Sequence, residues 1–195
     1  MKKNIQEIIE VANDIYTKGL VSGKAGNISA RFKGENDDVV AITPTLKSLG
    51  KLSEEDIVLV DLDANALTRG KPSSEVNMHL NIYKKRPDVN GIVHTHSPYA
   101  TGFAFSDKRI KRLEGFGEIK NPYLPYIEYE KPGSDELAVK ASEGIGLDDV
   151  LVLKNHGVIC VGENLKEAES LAVFVEETAK TQFITYMLNS VEDII

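Results

Sequence analysis

The sequence contains a single cysteine among its 195 residues. One thiol cannot form an internal disulfide, and it cannot build a cysteine-rich metal site. This residue, Cys160, lies in an apolar run at positions 158–161. We expect it to be a small core side chain rather than a nucleophile.

Positive charge is also scarce. The chain has 23 lysines and arginines against 30 aspartates and glutamates, which gives a net charge of −7 and a pI near 5.2. This balance argues against a partner such as nucleic acid or an anionic membrane surface. An anionic substrate would need donors placed locally around it.

Long apolar runs and linkers are absent from the sequence. No stretch reaches membrane-spanning length, and Met1-Lys2-Lys3 leads into an amphipathic segment with acids rather than into a signal-type apolar block. We therefore expect a cytoplasmic protein. No Pro/Ser-rich or charged linker divides the chain, which predicts one domain over residues 1–195.

Hydrophobic periodicity predicts helices and strands that alternate along the chain. The predicted helices cover residues 4–18, 76–86, 97–105, 135–143 and a long final segment that opens at Asn164. The predicted strands cover residues 29–32, 39–43, 57–62, 126–129 and a hairpin-like pair within 150–161.

An apolar run at residues 91–96 carries two histidines two positions apart. Side chains at positions i and i+2 of a β-strand project to the same face, so His94 and His96 should converge on one point. His156 adds a third imidazole in a turn-like context between two apolar runs. Three neutral nitrogens with an open coordination position are typical of a catalytic Zn²⁺ site. Unrelated strand and turn histidines are the alternative interpretation.

Three short polar motifs lie at the ends of predicted elements: Gly26-Asn27, Thr43-Pro44-Thr45 and Ser73-Ser74-Glu75. Glycine lets backbone N–H groups approach an anion, and the free N–H groups at a helix start favour one. Each motif is also ordinary as a turn, a polar loop or a helix N-cap. His79 follows Glu75 by one helical turn, where a lone histidine is more often a core or surface residue than a ligand.

These motifs occur in one order together with His94-Thr95-His96 and Asn155-His156-Gly157. In that order and at these separations they resemble the class II aldolase and adducin-head family, and the likeness is closest to its fuculose-phosphate aldolase branch. The resemblance covers nearly the whole chain. Several short motifs in a fixed order are far more specific than any one of them alone.

The resemblance implies an α/β fold, namely a three-layer α/β/α domain with a mostly antiparallel central sheet. It also implies a homotetramer, usually ring-shaped, with active sites between neighbouring subunits.

Residue by residue, the resemblance implies one Zn²⁺ per chain bound by His94, His96 and His156. Glu75 falls on the family's catalytic acid/base, which ligates the metal at rest and moves off when substrate arrives. The remaining motif residues fall on positions that bind the phosphate of a phosphorylated sugar: Gly26, Asn27, Thr45, Ser73 and Ser74. A carboxylate beside a metal is suited to move the proton at a carbon next to a ketone.

The sequence departs from the family pattern in two places. Leu46 stands where fuculose-phosphate aldolases commonly have a glycine, so one backbone contact to phosphate is in question, and Lys47 would have to replace it. No tyrosine occupies the position from which a neighbouring subunit supplies the proton on the aldehyde side. Glu114 lies near that position, so we expect Glu114, or else Tyr123 from an adjacent subunit, to be the second acid.

The residues together predict a zinc-dependent aldolase that reversibly cleaves a ketose 1-phosphate, such as L-fuculose 1-phosphate, to dihydroxyacetone phosphate and an aldehyde. A sugar-phosphate epimerase or a methylthioribulose-phosphate dehydratase would use the same scaffold, the same histidines and the same phosphate site. A noncatalytic adducin-like assembly module is the alternative from another class of protein.

Overall fold

Helices and strands alternate along the residues that the structure, a computed structural model, describes: 2–34, 37–113 and 121–191. The α-helices in these ranges are α1 (Lys2–Thr17), α2 (Val76–Lys85), α3 (Pro98–Phe105), α4 (Asp135–Gly144) and α5 (Leu165–Ser190). The strands are β1 (Asn27–Lys33), β2 (Asp38–Ile42), β3 (Val58–Val60), β4 (Gly91–Thr95), β5 (Tyr126–Ile127), β6 (Val150–Leu153) and β7 (Gly157–Gly162).

The strands form one seven-stranded sheet in the order β3-β2-β1-β4-β7-β6-β5. Neighbouring strands are antiparallel except for β5 and β6, which run parallel. The mostly antiparallel sheet expected from the family resemblance is thus confirmed. Its centre is occupied by β1, β4 and β7, the strands that lie nearest to the histidines.

Apolar side chains cover both faces of the sheet. Helices α1, α3 and α5 pack on one face, and α2 and α4 pack on the other. Alternation along β7 divides its side chains between the two layers, with Cys160 on the first face and Ile159 on the second. Each fully buried aliphatic side chain stabilises the fold by roughly 1.5–3 kcal/mol. The arrangement is the three-layer α/β/α sandwich that was expected.

Cys160 is fully buried, as predicted, and burial raises the pKa of its thiol. The predicted helices are found with small changes at their ends. Strand β3 is shorter than the predicted 57–62, because the Asp61 carboxylate accepts hydrogen bonds from the N–H groups of Asp63 and Asn65 and turns the chain.

Strands β1 and β4 bring polar side chains to the face covered by α2. Asn27 lies opposite His94 in the antiparallel pairing, and Ser29 lies opposite Ile92. Ile92 belongs to the apolar layer beneath α2 and α4, so alternation directs His94, Asn27 and Ser29 to the same side. A polar site therefore forms between the centre of the sheet and α2.

Candidate metal and phosphate site

His94 lies in the middle of the sheet and is fully buried. Its Nδ1 is 3.0 Å from the backbone oxygen of Val158 on the neighbouring strand β7. A carbonyl oxygen only accepts, so Nδ1 carries the proton and donates it. Nε2 is then unprotonated, the form in which an imidazole binds a metal, and it lies 3.0 Å from His96 Nε2.

His94, His96 and His156 meet at one point. Their ring centroids are 4.8 to 4.9 Å apart, and the ligand atoms lie within 4.8 Å of one another. Strand β4 ends at Thr95, so His96 lies one residue beyond it, and its ring still lies beside that of His94. The geometric prediction for His94 and His96 is met, and His156 joins them.

The β6–β7 turn carries His156 to the other two rings. Asn155 takes a left-handed backbone conformation with φ of 54°, which asparagine tolerates better than most residues. At Gly157 a Cβ atom would lie 2.3 Å from the backbone oxygen of Thr95. The turn therefore requires glycine there, because any side chain would push His156 away from β4.

Burial keeps the histidines of this cluster neutral. It lowers the pKa of His94 well below 6.5 and also lowers that of His96. Burial and, after it, the neighbouring His94 ring lower the pKa of His156 to about 3, although the Glu75 carboxylate raises it in part. Neutral imidazoles can coordinate a cation without first losing a proton.

Glu75 precedes the first residue of α2 and is 6% exposed. Its Oε2 lies 3.3 Å from His94 Nε2, and its Oε1 lies 3.4 Å from His156 Nε2. Among the described residues, Glu75 Oε1 and His156 Nδ1 are buried without a hydrogen-bond partner. Leaving a buried carboxylate oxygen unpaired is costly. Three imidazoles and this carboxylate fit a divalent cation, which would offset that cost.

The Asn27 side chain forms hydrogen bonds with both Glu75 and His79. The Asn27 amide donates from Nδ2 to Glu75 Oε2 at 2.8 Å, and its Oδ1 lies 2.6 Å from His79 Nε2. Both the oxygen and the nitrogen of the Asn27 amide are thus hydrogen-bonded to other side chains. The expected role of Asn27 in phosphate binding did not predict these contacts.

The segments expected to bind phosphate are adjacent in the structure. The Thr45 N–H donates to the Lys71 oxygen at 3.1 Å, and the Ser73 N–H donates to the Thr43 oxygen at 3.0 Å. These hydrogen bonds hold the loop after β2 against the start of α2. Thr45 is partly exposed and Ser74 is exposed. Ser73 is buried, and its hydroxyl accepts the Glu75 N–H at 3.2 Å.

Gly26 is required by packing, independently of any ligand. Its φ is 77°, in the left-handed region. A Cβ atom there would lie 2.8 Å from the His94 backbone oxygen and 2.6 Å from Val21 Cγ1. The glycine lets the chain enter β1 directly against β4, where Asn27 pairs with His94.

Leu46 retains the backbone conformation that a glycine would favour. Its φ is 60°, and its side chain is 74% exposed. Lys47, the suggested replacement for a phosphate contact, forms an ion pair with Asp56. Lys47 Nζ lies 2.5 Å from Asp56 Oδ2, and the hydrogen bond to Lys47 lowers the Asp56 pKa to about 2.

The proposed second acid, Glu114, lies outside the described residues. Tyr123, the alternative, is partly buried, and the Arg109 guanidinium stacks over its ring at 5.1 Å from the centroid.

A family model for the Class II Aldolase and Adducin N-terminal domain matches residues 6–183. The chain belongs to this family. The L-fuculose phosphate aldolase of Methanococcus maripaludis is 39% identical over 181 residues, which are 93% of this chain and 97% of the relative. A solved structure of an L-fuculose 1-phosphate aldolase superposes with a TM-score of 0.86 and 30% identity, covering 100% of this chain and 92% of that chain.

The family is chemically varied. The 3-oxo-tetronate 4-phosphate decarboxylase of Haemophilus influenzae is 36% identical over 186 residues, which are 90% of this chain and 85% of the relative. The match to the aldolase family and to the aldolase relatives makes this chain a class II aldolase, a lyase. Enzymes of this class depend on a metal, and the chain brings His94, His96 and His156 together.

No helix in the described part of this class II aldolase is long and apolar enough to cross a membrane.

His79 is the polar residue of the site whose place the sequence did not reveal. It was expected to be a core or surface residue, and it is fully buried against Asn27 and Ser29. One pattern would have indicated it. Asn27 and Ser29 alternate on β1, and Glu75, at the N-cap of α2, is followed at four-residue intervals by His79 and Tyr83 on the helix. The two polar rows can therefore face each other.

Proposed function

We propose that the protein is a zinc-dependent aldolase that reversibly cleaves a ketose 1-phosphate, such as L-fuculose 1-phosphate, to dihydroxyacetone phosphate and an aldehyde. The observation that carries the proposal is the place of Glu75, whose carboxylate lies within 3.4 Å of two of three clustered histidines. Glu75 also directly follows Ser73 and Ser74, two of the residues proposed to bind the phosphate. Relatives named for L-fuculose phosphate support the class of substrate.

Each group has one role in this proposal. His94, His96 and His156 hold the cation, with His94 fixed in orientation by its hydrogen bond to Val158. A Zn²⁺ ion held there would supply Lewis-acid stabilisation of the negative charge that develops on the substrate oxygens. Glu75 moves the proton at the donor carbon, because its Oε1 is buried near the cluster and has no hydrogen-bond partner among the described residues.

The phosphate group binds, in this proposal, between the loop after β2 and the start of α2. The exposed Ser74 hydroxyl and the partly exposed Thr45 are the available donors, together with N–H groups at the helix start. Gly26 and Asn27 border the same site through β1. Binding the phosphate fixes the register of the sugar, so that its reacting carbon lies beside Glu75.

Glu114, from an adjacent subunit, is proposed as the second acid, the group that gives a proton to the aldehyde oxygen. This assignment rests on its position in the sequence alone. It requires an assembly, and we propose a homotetramer of single-domain chains in the cytoplasm. The exposed apolar side chains near the end of α5 support a subunit contact: Phe183, Ile184, Met187 and Leu188.

The proton-transfer roles can be separated by experiment. Dihydroxyacetone phosphate in deuterated water, with zinc-loaded enzyme, should exchange a carbon-bound proton whether or not the second acid is present. Glu75→Gln should lose both exchange and cleavage, whereas Glu114→Gln should keep exchange and lose cleavage. Glu10→Gln, which changes an exposed residue of α1, is the matched control and should retain both. Normal cleavage by Glu75→Gln would refute the proposal.

Relatives with other activities make product analysis decisive. A screen of phosphorylated ketoses with Zn²⁺, read by mass, should yield two fragments. An epimer, loss of water or release of CO₂ would instead assign the protein to epimerase, dehydratase or decarboxylase chemistry. The last of these is included because a 3-oxo-tetronate 4-phosphate decarboxylase is 36% identical to the chain.

A further inference from the structure

A buried row of polar side chains runs from Tyr83 to Glu75 between β1 and α2. His79 and Ser29 are 0% exposed, Tyr83 is 1% exposed and Asn27 is 5% exposed. Buried polar groups are retained in folded proteins when each finds a partner, and every member of this row does. The row meets the Glu75 carboxylate at Oε2, which also lies 3.3 Å from His94 Nε2.

The hydrogen bonds in this row can run in only one direction. A carboxylate accepts hydrogen bonds and donates none, so Asn27 must present its NH₂ group to Glu75 Oε2. The Asn27 Oδ1 then faces His79 Nε2 at 2.6 Å, and this nitrogen must carry the proton. His79 Nδ1 is left as an acceptor for the Ser29 hydroxyl at 2.7 Å.

The far end of the row holds the Ser29 hydroxyl in place. Tyr83 Oη lies 2.8 Å from Ser29 Oγ and 3.0 Å from the Ser29 backbone oxygen, and its single proton is shared between these two acceptors. Burial also favours the neutral His79 ring, because it lowers the pKa of the imidazole to about 4. The Nε2–H tautomer therefore satisfies the contacts of His79 with Asn27 and with Ser29.

We propose that His79 is a positioning residue for Glu75, acting through Asn27, an inference that rests on the acid/base role proposed for Glu75. The Nε2–H group prevents the Asn27 amide from turning over, since a turned amide would place N–H against N–H at His79 and oxygen against oxygen at Glu75. The amide N–H thus stays on Oε2. Oε1, which lies 3.4 Å from His156 Nε2, is left as the carboxylate oxygen without a hydrogen-bond partner among the described residues.

Kinetics separate positioning from simple support of the fold. His79→Leu removes the donor to Asn27, and we expect kcat for cleavage to fall roughly 10- to 100-fold, the usual effect of losing such a supporting contact, with KM changed less than about threefold. His79→Gln places an amide N–H near the position of Nε2 and should recover kcat to within about fivefold of wild type.

Ile82→Ala is the matched control for stability. Ile82 is fully buried on the same helix but belongs to the apolar layer and contacts none of the polar row's hydrogen bonds. This variant should melt at a lower temperature and keep kcat within about twofold of wild type. If Ile82→Ala loses as much kcat as His79→Leu, or if His79→Leu keeps wild-type kcat, or if His79→Gln rescues nothing, the inference is wrong.

A spectroscopic measurement tests the inference without substrate. Long-range ¹H–¹⁵N spectra of the zinc-loaded protein should show the His79 ring protonated at Nε2 and bare at Nδ1, with the signals assigned by their loss in His79→Gln. The opposite tautomer would refute the inference even if the variants failed to fold. Inactivity of the wild type towards every ketose phosphate would refute the proposed function, and the spectrum would still decide the His79 geometry.

Discussion

The burial of His79 should make the stability of the protein depend on pH, and His79→Gln should remove that dependence. Burial lowers the pKa of this imidazole from 6.5 to about 4, although the Glu75 carboxylate raises it in part. Two other titratable side chains lie near it. Burial raises the pKa of the Tyr83 hydroxyl and lowers that of His94, so both are neutral across the range of interest.

The magnitude follows from the two pKa values of residue 79. Below about pH 6.5 the unfolded chain binds a proton that the folded protein excludes, so the free energy of unfolding falls as pH falls towards about 4. With those values, the His79 contribution falls by about 1.3 kcal/mol between about pH 7.5 and pH 5.5, and by about 2.5 kcal/mol at about pH 4.5. Glutamine does not titrate and contributes no such loss.

Urea unfolding of chelator-treated wild type and His79→Gln, repeated across this pH range, measures the effect. The free energy of unfolding of wild type minus that of the variant should fall by about 1 kcal/mol on acidification from about pH 7.5 to pH 5.5. The metal-site histidines are present in both proteins and largely cancel in the difference. A difference that stays constant would mean that the fold does not hold His79 neutral.

Three further predictions concern the phosphate loop and the metal. Ser74→Ala should raise KM for phosphorylated substrate without changing the melting temperature. Ser73→Ala should raise KM and also lower the free energy of unfolding by about 1 kcal/mol, because it removes the acceptor of the Glu75 N–H. Equal melting temperatures for the two variants would contradict this. Leu46→Gly should raise the urea concentration at the midpoint of unfolding. It relieves about 1–2 kcal/mol of strain in the left-handed backbone conformation, which exceeds the entropy cost of glycine of about 0.5–1 kcal/mol. A lower midpoint would contradict this prediction. Elemental analysis should find about one zinc per chain, and a chelator should abolish activity. The chelated protein should have a free energy of unfolding about 4 kcal/mol lower than the protein with free zinc at a thousandfold excess over its Kd. Full activity after metal removal would refute the metal assignment.

Local patterns in the sequence determined the helices, the strands and the pairing of two histidines. The spacing of Ile8, Ala12 and Ile15 predicts the buried face of α1, and all three are fully buried. The two-residue spacing of His94 and His96 predicts their convergence, because side-chain direction in an extended chain depends only on sequence separation. The family and its fold were likewise recognisable from the order of short motifs, and both are confirmed.

The tertiary structure alone decided how these pieces support one another. No local window shows that β1 lies between β2 and β4, and that order is what places Asn27 opposite His94. The same order makes glycine necessary at position 26, because a neighbouring strand leaves no room for a Cβ atom. Sequence patterns describe each element separately, whereas strand order and helix docking depend on packing between distant segments.

His79 is the clearest example of a residue whose contacts were decided by the tertiary structure. From the sequence of its own helix it is only a histidine one turn beyond Glu75. Its direction of donation is set by the Glu75 carboxylate through Asn27, a residue 52 positions away along the chain. Hydrogen bonds between side chains form only when their elements are docked, since in the unfolded chain water satisfies the same groups. The sequence therefore determined which polar groups are available, and the packing of α2 on β1 determined which of them are paired.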